Sequence, residues 1–222
     1  MARPEETERE EQAAAEAAAE LVEDGSAVGL GTGSTVAFFL PALAARRLDV
    51  RCVCTSPATE ARARSVGLAV VPFEGIERLD IAVDGADQVD PRGWLVKGGG
   101  GAHTREKIVA VAANRFIVIV SSGKLVEALR PPVPLELLPF GLDATLRRLG
   151  AVELRDAPPS PDGGILAAYL GPVDDATGLS ARLAGTPGVV EHGLFAPDLV
   201  SEVLVGRDAE VERRVIARRP RP

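Results

Sequence analysis

The sequence predicts an α/β fold: an open, Rossmann-like parallel sheet domain with a smaller ferredoxin-like α+β domain. Three observations favour it. Strand-like runs alternate with helix-like segments as far as residue 130, hydrophobic residues make up 46% of the 222 residues, and aromatic residues make up only 4%. Strands that alternate with helices form parallel sheets through right-handed crossovers. A core of Val, Leu, Ile and Ala suits a sheet that is buried on both faces.

The first half of the chain supplies the parallel sheet. Residues 5–23 are rich in Ala and Glu at helical spacing and are followed by Gly25, which predicts a helix closed by a glycine. The apolar run Ala27–Leu30, the small-residue turn at 31–35 and the helical pattern at 36–46 predict a strand–loop–helix unit. The elements predicted next are a strand at Arg51–Cys54, a helix at 58–65, strands at 68–71 and 81–83, a helix at 105–113 and a strand at 116–120.

The pattern changes at Pro131. The predicted order there is a strand at 135–138, a helix at 142–149, strands at 152–154 and 165–170, a helix at 179–184 and a strand at 189–194. This β-α-β-β-α-β order is that of ferredoxin-like units. We therefore predict a smaller lid domain over 131–199. The Rossmann-like catalytic domain covers 1–130 plus 200–222, with a last strand at 200–205 and a basic tail at 213–222.

Charge and hydropathy exclude some classes of function. The formal net charge of −7 argues against a protein whose main partner is nucleic acid, because such proteins need a basic face to displace counterions. No apolar run approaches the roughly 20 residues that span a bilayer, and the acidic, Ala-rich N-terminus does not look like a signal peptide. We expect no membrane association and a cytoplasmic location.

The cysteines and histidines form no recognisable catalytic or metal motif. Cys52 and Cys54 have the spacing of neither a zinc site nor a redox pair, so we interpret them as buried structural thiols. His103 and His192 are the only histidines. They lack a third partner for a triad or a zinc site, and we expect them to be structural or solvent-facing.

A small-residue loop follows the first predicted strand. In open α/β sheets, ligands bind beyond the carboxyl ends of the strands. The loop Gly31-Thr32-Gly33-Ser34-Thr35 lies between a strand and a helix, where backbone N–H groups and hydroxyls favour a phosphate. It matches neither the dinucleotide fingerprint nor the Walker loop, and a plain tight turn is the alternative.

Two aspartates follow the strand at 81–83. In Asp84-Gly85-Ala86-Asp87 the small residues allow a ligand to approach the backbone closely, although solvated aspartates are common in turns. Because Asp80 and Asp90 lie nearby, a magnesium site of carboxylate oxygens is an alternative, but it lacks a further cluster of ligands.

The run Lys97-Gly98-Gly99-Gly100-Gly101 is the most informative stretch. Four consecutive glycines cost conformational entropy, which favours a backbone that approaches a ligand or adopts positive φ. A flexible linker is the alternative, but a linker seldom runs straight into a helix. Glu106, in the first turn of that helix, is either a simple helix-dipole acid or a general base. Lys124 is either a surface lysine or a second cation for a phosphate or a sugar hydroxyl.

Taken together, these motifs resemble ribose-5-phosphate isomerase of the A type. The resemblance covers nearly the whole chain and rests on the order and spacing of the blocks. Besides the stretches already named, the blocks are Thr55-Ser56, Arg105-Glu106-Lys107-Ile108-Val109 and Pro187-Gly188-Val189-Val190-Glu191-His192-Gly193-Leu194-Phe195.

The resemblance implies an aldose–ketose isomerase. It would interconvert D-ribose 5-phosphate and D-ribulose 5-phosphate through an enediolate, in the non-oxidative pentose phosphate pathway. No metal and no organic cofactor are implied, the partner is a small sugar phosphate, and the assembly is a homodimer or homotetramer.

The resemblance also assigns roles to residues. Glu106 is the proton acceptor, provided that burial raises its pKa toward the working range. Asp84, Asp87 and Lys97 are the further catalytic residues, with Asp84 placed to assist ring opening and Lys97 to stabilise an oxyanion. The implied substrate site consists of Thr32, Gly33, Ser34, Thr35, Asp84, Gly85, Ala86, Asp87, Lys97, Gly98, Gly99, Gly100 and Lys124.

Four positions depart from the family pattern. Gln88 stands where the family has Glu after Asp-Gly-Ala-Asp, and Ser121-Ser122-Gly123-Lys124 replaces Asp-x-Ser-Lys. Pro161-Asp162-Gly163-Gly164 replaces an Asp-Asn-Gly-Asn turn, and Glu11 stands where ungapped counting places a phosphate-reaching lysine. These changes bear on substrate affinity and leave the proposed base untouched.

Two other hypotheses stay open, and the changes at Glu11, Gln88 and 121–123 suggest the first of them. The first is a sugar-phosphate-binding or sensing protein that lost turnover, although related regulators carry a basic helix-turn-helix and this N-terminus is acidic. The second is another sugar-phosphate enzyme of the same fold, such as an amino-sugar phosphate deaminase.

Overall fold

A computed structural model describes residues 4–208 and 210–216. Its helices are α1 (Pro4–Ala19), α2 (Ser34–Ala45), α3 (Pro57–Ser65), α4 (His103–Ala112), α5 (Leu142–Leu149) and α6 (Ala176–Ala184). Its strands are β1 (Ala27–Leu30), β2 (Arg51–Cys54), β3 (Leu79–Asp84), β4 (Gln88–Val89), β5 (Leu95–Val96), β6 (Ala113–Ser121), β7 (Val133–Leu137), β8 (Val152–Leu154), β9 (Ile165–Tyr169), β10 (Val189–His192), β11 (Leu194–Phe195), β12 (Glu202–Arg207) and β13 (Glu210–Val215).

The central sheet is open and mostly parallel. Its strand order is β13-β12-β6-β3-β1-β2, and every neighbouring pair is parallel except β12 with β13. The four inner strands of this sheet, β12, β6, β3 and β1, are mostly buried, as the apolar composition predicts for a sheet covered on both faces. The predicted Rossmann-like α/β class is confirmed.

Alternating side chains of the central strands pack against different layers. On β6, Ile117 and Ile119 belong to the core shared with α1 and α2. Phe116 and Val118 belong to the core on the opposite face, which also contains Val109 of α4. The period-two alternation of a strand thus joins helices on both faces to one sheet. The packing of Val109 holds α4, the helix that carries Glu106, against β1 and β3.

The second sheet is antiparallel and is formed by residues 133–192. Its order is β10-β7-β9-β8, and its chain order with α5 and α6 is the predicted β-α-β-β-α-β. It has its own apolar core, which includes Leu135, Tyr169 and Leu183. The ferredoxin-like α+β part of the fold is confirmed, and the domain boundaries stay a prediction.

Several predicted elements differ from those observed. The predicted strand at 68–71 was wrong: a single bridge joins Val70 to Cys52, with one backbone hydrogen bond on each side of it, from the Cys52 N–H to the Ala69 carbonyl and from the Val71 N–H to the Cys52 carbonyl. The N-terminal helix ends at Ala19 and not near residue 23, and the last predicted strand, at 200–205, is β12. Part of the predicted basic tail forms β13, while residues 217–222 lie outside the described residues.

A three-stranded sheet of β11, β5 and β4 was not predicted. Two of these strands flank the site: β4 follows the aspartate loop, and β5 precedes the glycine run. The Lys97 N–H donates to the carbonyl of Gly193 at 2.8 Å, so the start of the glycine run is held by the backbone before β11. Among residues 4–208 and 210–216, no helix is both long and apolar enough to cross a membrane.

Candidate active site

Four loops enclose a cavity of about 120 Å³. The loops after β1, β3 and β6 meet at the carboxyl edge of the central sheet, and the glycine run after β5 joins them. The lining consists of Thr32, Gly33, Ser34, Thr35, Gly85, Ala86, Asp87, Lys97, Gly98, Gly99, Gly100, Glu106 and Lys124. All of these residues were predicted from the sequence, and of the predicted set Asp84 alone does not line the cavity. Their chemical roles stay predictions.

A buried lysine lies between two carboxylates at one side of the cavity. Lys97 Nζ is 2.9 Å from Asp84 Oδ2 and 3.0 Å from Glu106 Oε2, and it donates to the carbonyl of Gly85 at 2.6 Å. All three side chains are about 3% exposed. Burial alone would lower the pKa of Lys97, but the two carboxylates raise it above its usual value. Lys97 is therefore a permanent positive charge in the site.

Glu106 has the properties of a general base. Burial, helped by repulsion from Asp84 and opposed by Lys97, raises the pKa of Glu106 to about 7. Its Oε2 contacts Lys97 outside hydrogen-bond geometry and has no hydrogen-bond partner among the described residues. A buried carboxylate with a pKa near neutrality can both accept and return a proton.

Asp84 holds the segments of the site together. Its Oδ1 accepts hydrogen bonds from the N–H groups of Thr32 at 3.1 Å and Gly85 at 2.7 Å, while Oδ2 faces Lys97. This close approach requires a glycine at position 31, since an added Cβ there would lie 2.0 Å from Asp84 Cγ. Asp84 is 2% exposed and does not itself line the cavity.

The glycine run is held from both sides. Gly98 and Gly101 have φ values of 106° and 78°, which L-residues other than glycine rarely adopt. On one side, the Gly99 N–H donates to Asp87 Oδ2 at 3.0 Å. On the other side, the guanidinium of Arg155 donates to the carbonyls of Gly98 at 3.0 Å and Gly99 at 2.5 Å. Sequence analysis did not single out Arg155, because no local motif marks it.

The other end of the cavity is suited to an anion. Helix α2 starts at Ser34 after Gly33, whose φ of 133° needs a glycine, so the first N–H groups of the helix face this end. The Thr32 hydroxyl contacts three other hydroxyls, those of Thr55, Ser56 and Thr59, at 2.9, 2.9 and 3.2 Å. This hydroxyl cluster fixes the loop, and Lys124 contributes a positive charge to the lining.

Two carboxylates of α1 approach the anion end. Glu11 is 5% exposed, and its Oε1 accepts a hydrogen bond from the Ser34 hydroxyl at 3.0 Å. Glu10 accepts from the N–H of Ser122 at 2.9 Å and from its hydroxyl at 2.8 Å, which ties α1 to the turn that carries Lys124. Glu11 thus lies beside the loop at 31–35, and its position opposite a phosphate stays a prediction. Glu10 was not predicted as a site residue.

The histidines and cysteines are packing groups. His103 and His192 are 0% and 3% exposed, and burial lowers the pKa of both to about 4, so the structural alternative is confirmed and the solvent-facing one is wrong. Burial raises the pKa of Cys52 and Cys54 to about 12. Cys52 is buried as predicted, and Cys54 is half-buried. Within the described part of the chain, no three His, Cys, Asp or Glu side chains are grouped to hold a metal ion.

The parallel sheet, the buried carboxylate–lysine contact and the anion-favouring helix start define an α/β enzyme with acid–base chemistry. The family follows from comparison with known proteins. The model for ribose 5-phosphate isomerase A (phosphoriboisomerase A) matches residues 51–210, and the chain belongs to this family.

Curated relatives and solved structures agree with this assignment. Ribose-5-phosphate isomerase A of Caulobacter vibrioides is 46% identical over 214 residues, which cover 89% of this chain and 94% of that protein. The structure of ribose 5-phosphate isomerase A from Methanocaldococcus jannaschii is 35% identical with a TM-score of 0.86, covering 92% of this chain and 97% of that one. A D-ribose-5-phosphate isomerase in complex with phospho-erythronic acid is 34% identical with a TM-score of 0.88, covering 94% and 99%.

Proposed function

We propose that this chain interconverts D-ribose 5-phosphate and D-ribulose 5-phosphate through an enediolate, as a step of the non-oxidative pentose phosphate pathway. The observation that carries the proposal is Glu106. It is a buried carboxylate with a pKa of about 7, it lies 3.0 Å from Lys97, and it lines the same cavity as the start of α2. The reaction needs a base for C–H protons at one end of a site and an anion-binding group at the other.

In this proposal Glu106 takes the proton from C2 of the open aldose and returns it to C1, while the hydroxyl proton of O2 passes to O1 in the enediolate. The negative charge that develops on oxygen in the enediolate is stabilised by Lys97 and by N–H groups of the glycine run. Because Asp84 does not line the cavity, we assign to it the holding of Lys97. Asp87 does line the cavity, and we assign to it assistance of furanose ring opening.

The phosphate is assigned to the other end of the cavity. Thr32, Gly33, Ser34 and Thr35 offer N–H groups and hydroxyls at the positive end of α2, and Lys124 adds a cation. These contacts are the same in substrate and intermediate, so they contribute binding and orientation more than acceleration of the chemical step.

The decisive assay follows conversion of ribose 5-phosphate by the purified protein, treated with chelator and without added metal, beside Glu106→Gln. We expect activity in the parent and a loss of about 10²- to 10⁴-fold in kcat in the variant. Glu60→Gln is the matched control, since Glu60 pairs with Arg64 on α3 outside the cavity lining. An inactive parent, or an active Glu106→Gln protein, would contradict the proposal.

A binding or sensing protein is the second candidate. The observation that favours this function is the carboxylate of Glu11, which lies beside Ser34 at the anion end of the cavity and departs from the pattern of the isomerase family. Binding of ribose 5-phosphate without turnover would identify this function. Turnover measured with a panel of substrates that includes amino-sugar phosphates would distinguish the isomerase and the binding protein from an amino-sugar phosphate deaminase.

We also propose a cytoplasmic homodimer or homotetramer in which residues 131–199 form a separate lid domain. Exposed apolar side chains near the second sheet support self-association, above all Phe140, which is 91% exposed, and Leu138, which is 49% exposed. Light scattering of the parent and of Phe140→Ser would measure the assembly.

A further inference from the structure

Arg155 links the second sheet to the glycine run. It directly follows β8, and its backbone N–H donates to the carbonyl of Leu166 at 2.9 Å, which anchors it beside β9. Its side chain is half-buried, extends to a loop more than fifty positions earlier in the chain, and donates to the carbonyls of Gly98 and Gly99. Arg155 does not itself line the cavity.

The two carbonyl contacts determine where the neighbouring N–H groups point. In a planar trans peptide the C=O and the N–H point in opposite directions. The Gly98 carbonyl shares a peptide with the Gly99 N–H, and the Gly99 carbonyl shares one with the Gly100 N–H. Because both carbonyls face Arg155, both N–H groups face away from it. The Gly99 N–H donates to Asp87 Oδ2 at 3.0 Å, in agreement with this geometry.

The Gly100 N–H is therefore directed to the side of the run on which Asp87 lies. Both Gly100 and Asp87 line the cavity, so this N–H points toward the space where substrate oxygens would lie. A guanidinium is always charged, and its field polarises the two peptides and strengthens their N–H groups as donors.

The four glycines, Gly98 to Gly101, have no side chains that could hold the run in this conformation. Neighbouring residues also leave no space for them. An added Cβ at Gly98 would lie 2.7 Å from His103 Nδ1, and one at Gly101 would lie 2.5 Å from a methyl of Leu166. Within the run, the Gly101 N–H donates to the Gly98 carbonyl at 3.0 Å, which closes a turn. The Gly99 carbonyl lies inside this turn, and Arg155 is the group that binds it and adds a second bond to the Gly98 carbonyl.

We propose that Arg155 is a positioning residue for the isomerisation: it orients the peptides of the glycine run so that their N–H groups meet the enediolate oxyanion. Arg155 acts through Gly98 and Gly99 and does not touch the substrate. The inference rests on the proposed function and adds a residue of the second sheet to the determinants of the rate.

The test compares Arg155→Met, Arg155→Lys and the control Arg148→Met, which alters an exposed arginine of α5. For each protein, kcat and KM for ribose 5-phosphate are measured, together with the inhibition constant of phospho-erythronic acid, whose carboxylate mimics the charge of the enediolate. Thermal midpoints and circular dichroism report folding.

For Arg155→Met we expect kcat to fall by about 10- to 100-fold, because misplacing catalytic groups is costly even when the mutated residue does not touch the substrate. KM should change by less than about threefold, since the phosphate contacts remain. The inhibition constant should rise by about the same factor as kcat falls. Arg155→Lys should be intermediate, because an ammonium lacks the two-pronged geometry of a guanidinium. Arg148→Met should behave like the parent.

Each other outcome overturns the inference. A parent-like kcat in Arg155→Met, or a loss confined to KM, rejects the positioning role and leaves the proposed function intact. An inactive parent rejects the proposed function and the role of Arg155 with it. If Arg155→Met does not fold, Arg155→Lys decides: a parent-like kcat rejects the role, and a lower kcat with unchanged KM and thermal midpoint supports it.

Discussion

Glu106 has a carboxyl group whose surroundings oppose ionisation. Because burial, then Asp84, raises its pKa to about 7 against the pull of Lys97, it is protonated in the free protein at acidic pH. A protonated carboxyl cannot act as a base. We therefore expect kcat/KM to fall as the pH drops through about 7 and to level off above it, which initial rates in a series of buffers would measure.

The assignment of this titration can be checked. Both histidines have pKa values lowered to about 4, mainly by burial, so neither is ionising near pH 7. The ionisation of a carboxyl group has a small enthalpy, so the midpoint should hardly move with temperature, whereas that of an imidazole or amine would. A profile flat from about pH 5 to 8 would contradict the assignment of Glu106 as the base.

Glu11 places a negative charge next to the phosphate loop. Its Oε1 accepts from the Ser34 hydroxyl at 3.0 Å, so it competes for a donor that would otherwise serve the phosphate. Glu11→Lys should lower KM for ribose 5-phosphate about tenfold, the effect of one charged hydrogen bond, with little change in kcat. Glu8→Lys makes the same charge change on an exposed position of α1 and is the control. An equal fall of KM in Glu11→Lys and Glu8→Lys would show that added positive charge on α1 lowers KM without contact with the loop, which would contradict the role given to Glu11.

The sequence indicates residues of the site that belong to local motifs and misses those that act across the chain. The lining residues lie in short blocks whose order is recognisable, and the structure brings those blocks to one cavity. Arg155 and Glu10 bind backbone groups of distant segments, the glycine run and Ser122. Backbone groups are the same at every position, so no pattern in the sequence reveals such a contact.

At the scale of elements, β1 and α4 approach each other closely at Gly29. An added Cβ there would lie 2.4 Å from Val109 Cγ1 and 3.0 Å from Ala82 Cβ. Gly29→Ala should lower the free energy of unfolding by about 1–3 kcal/mol through overpacking, measured by urea denaturation. Gly123→Ala, where no atom lies within 4 Å of the added Cβ, should stay within about 0.5 kcal/mol of the parent. Equal stability of the two variants would show that α4 adjusts without cost.

Long, buried strands could be predicted from the sequence, and very short ones could not. Residues 116–120 of β6, the longest strand of the central sheet, are all apolar and buried, and their pattern was clear. The two-residue strands β4, β5 and β11 are too short to show a period. Their pairing depends on tertiary contacts, such as that of β11 with β5 across about a hundred residues.

For the whole molecule, burial of Glu106 links activity to stability. The pKa of this carboxyl rises from 4.5 to about 7 on folding, so between these values the folded state binds more protons than the unfolded state. The free energy of unfolding of the parent should therefore fall with rising pH in this interval, relative to Glu106→Gln, by up to about 3 kcal/mol. Denaturation of both proteins from about pH 4 to 8 measures the difference. A difference that does not vary with pH would contradict the shift.

The division of the fold into a parallel sheet and a smaller antiparallel sheet could be predicted from the sequence, because each sheet has its own pattern of elements. Strand–helix alternation predicts the central sheet, and the proline-marked β-α-β-β-α-β order predicts the second. The way in which the second sheet reaches the glycine run was not accessible. That contact depends on the placement of the second sheet relative to the first, which local patterns do not specify.

Asp84 ties three segments together: the loop after β1, the turn after β3 and the lysine after β5. Evolution would therefore conserve it for two separate reasons, abundance of the folded protein and turnover. A lineage that no longer needed the activity would keep Asp84 for these backbone contacts, while Glu106 would be free to drift. Among descendants of this chain, an aspartate retained at 84 beside a neutral residue at 106 would mark the loss of catalysis.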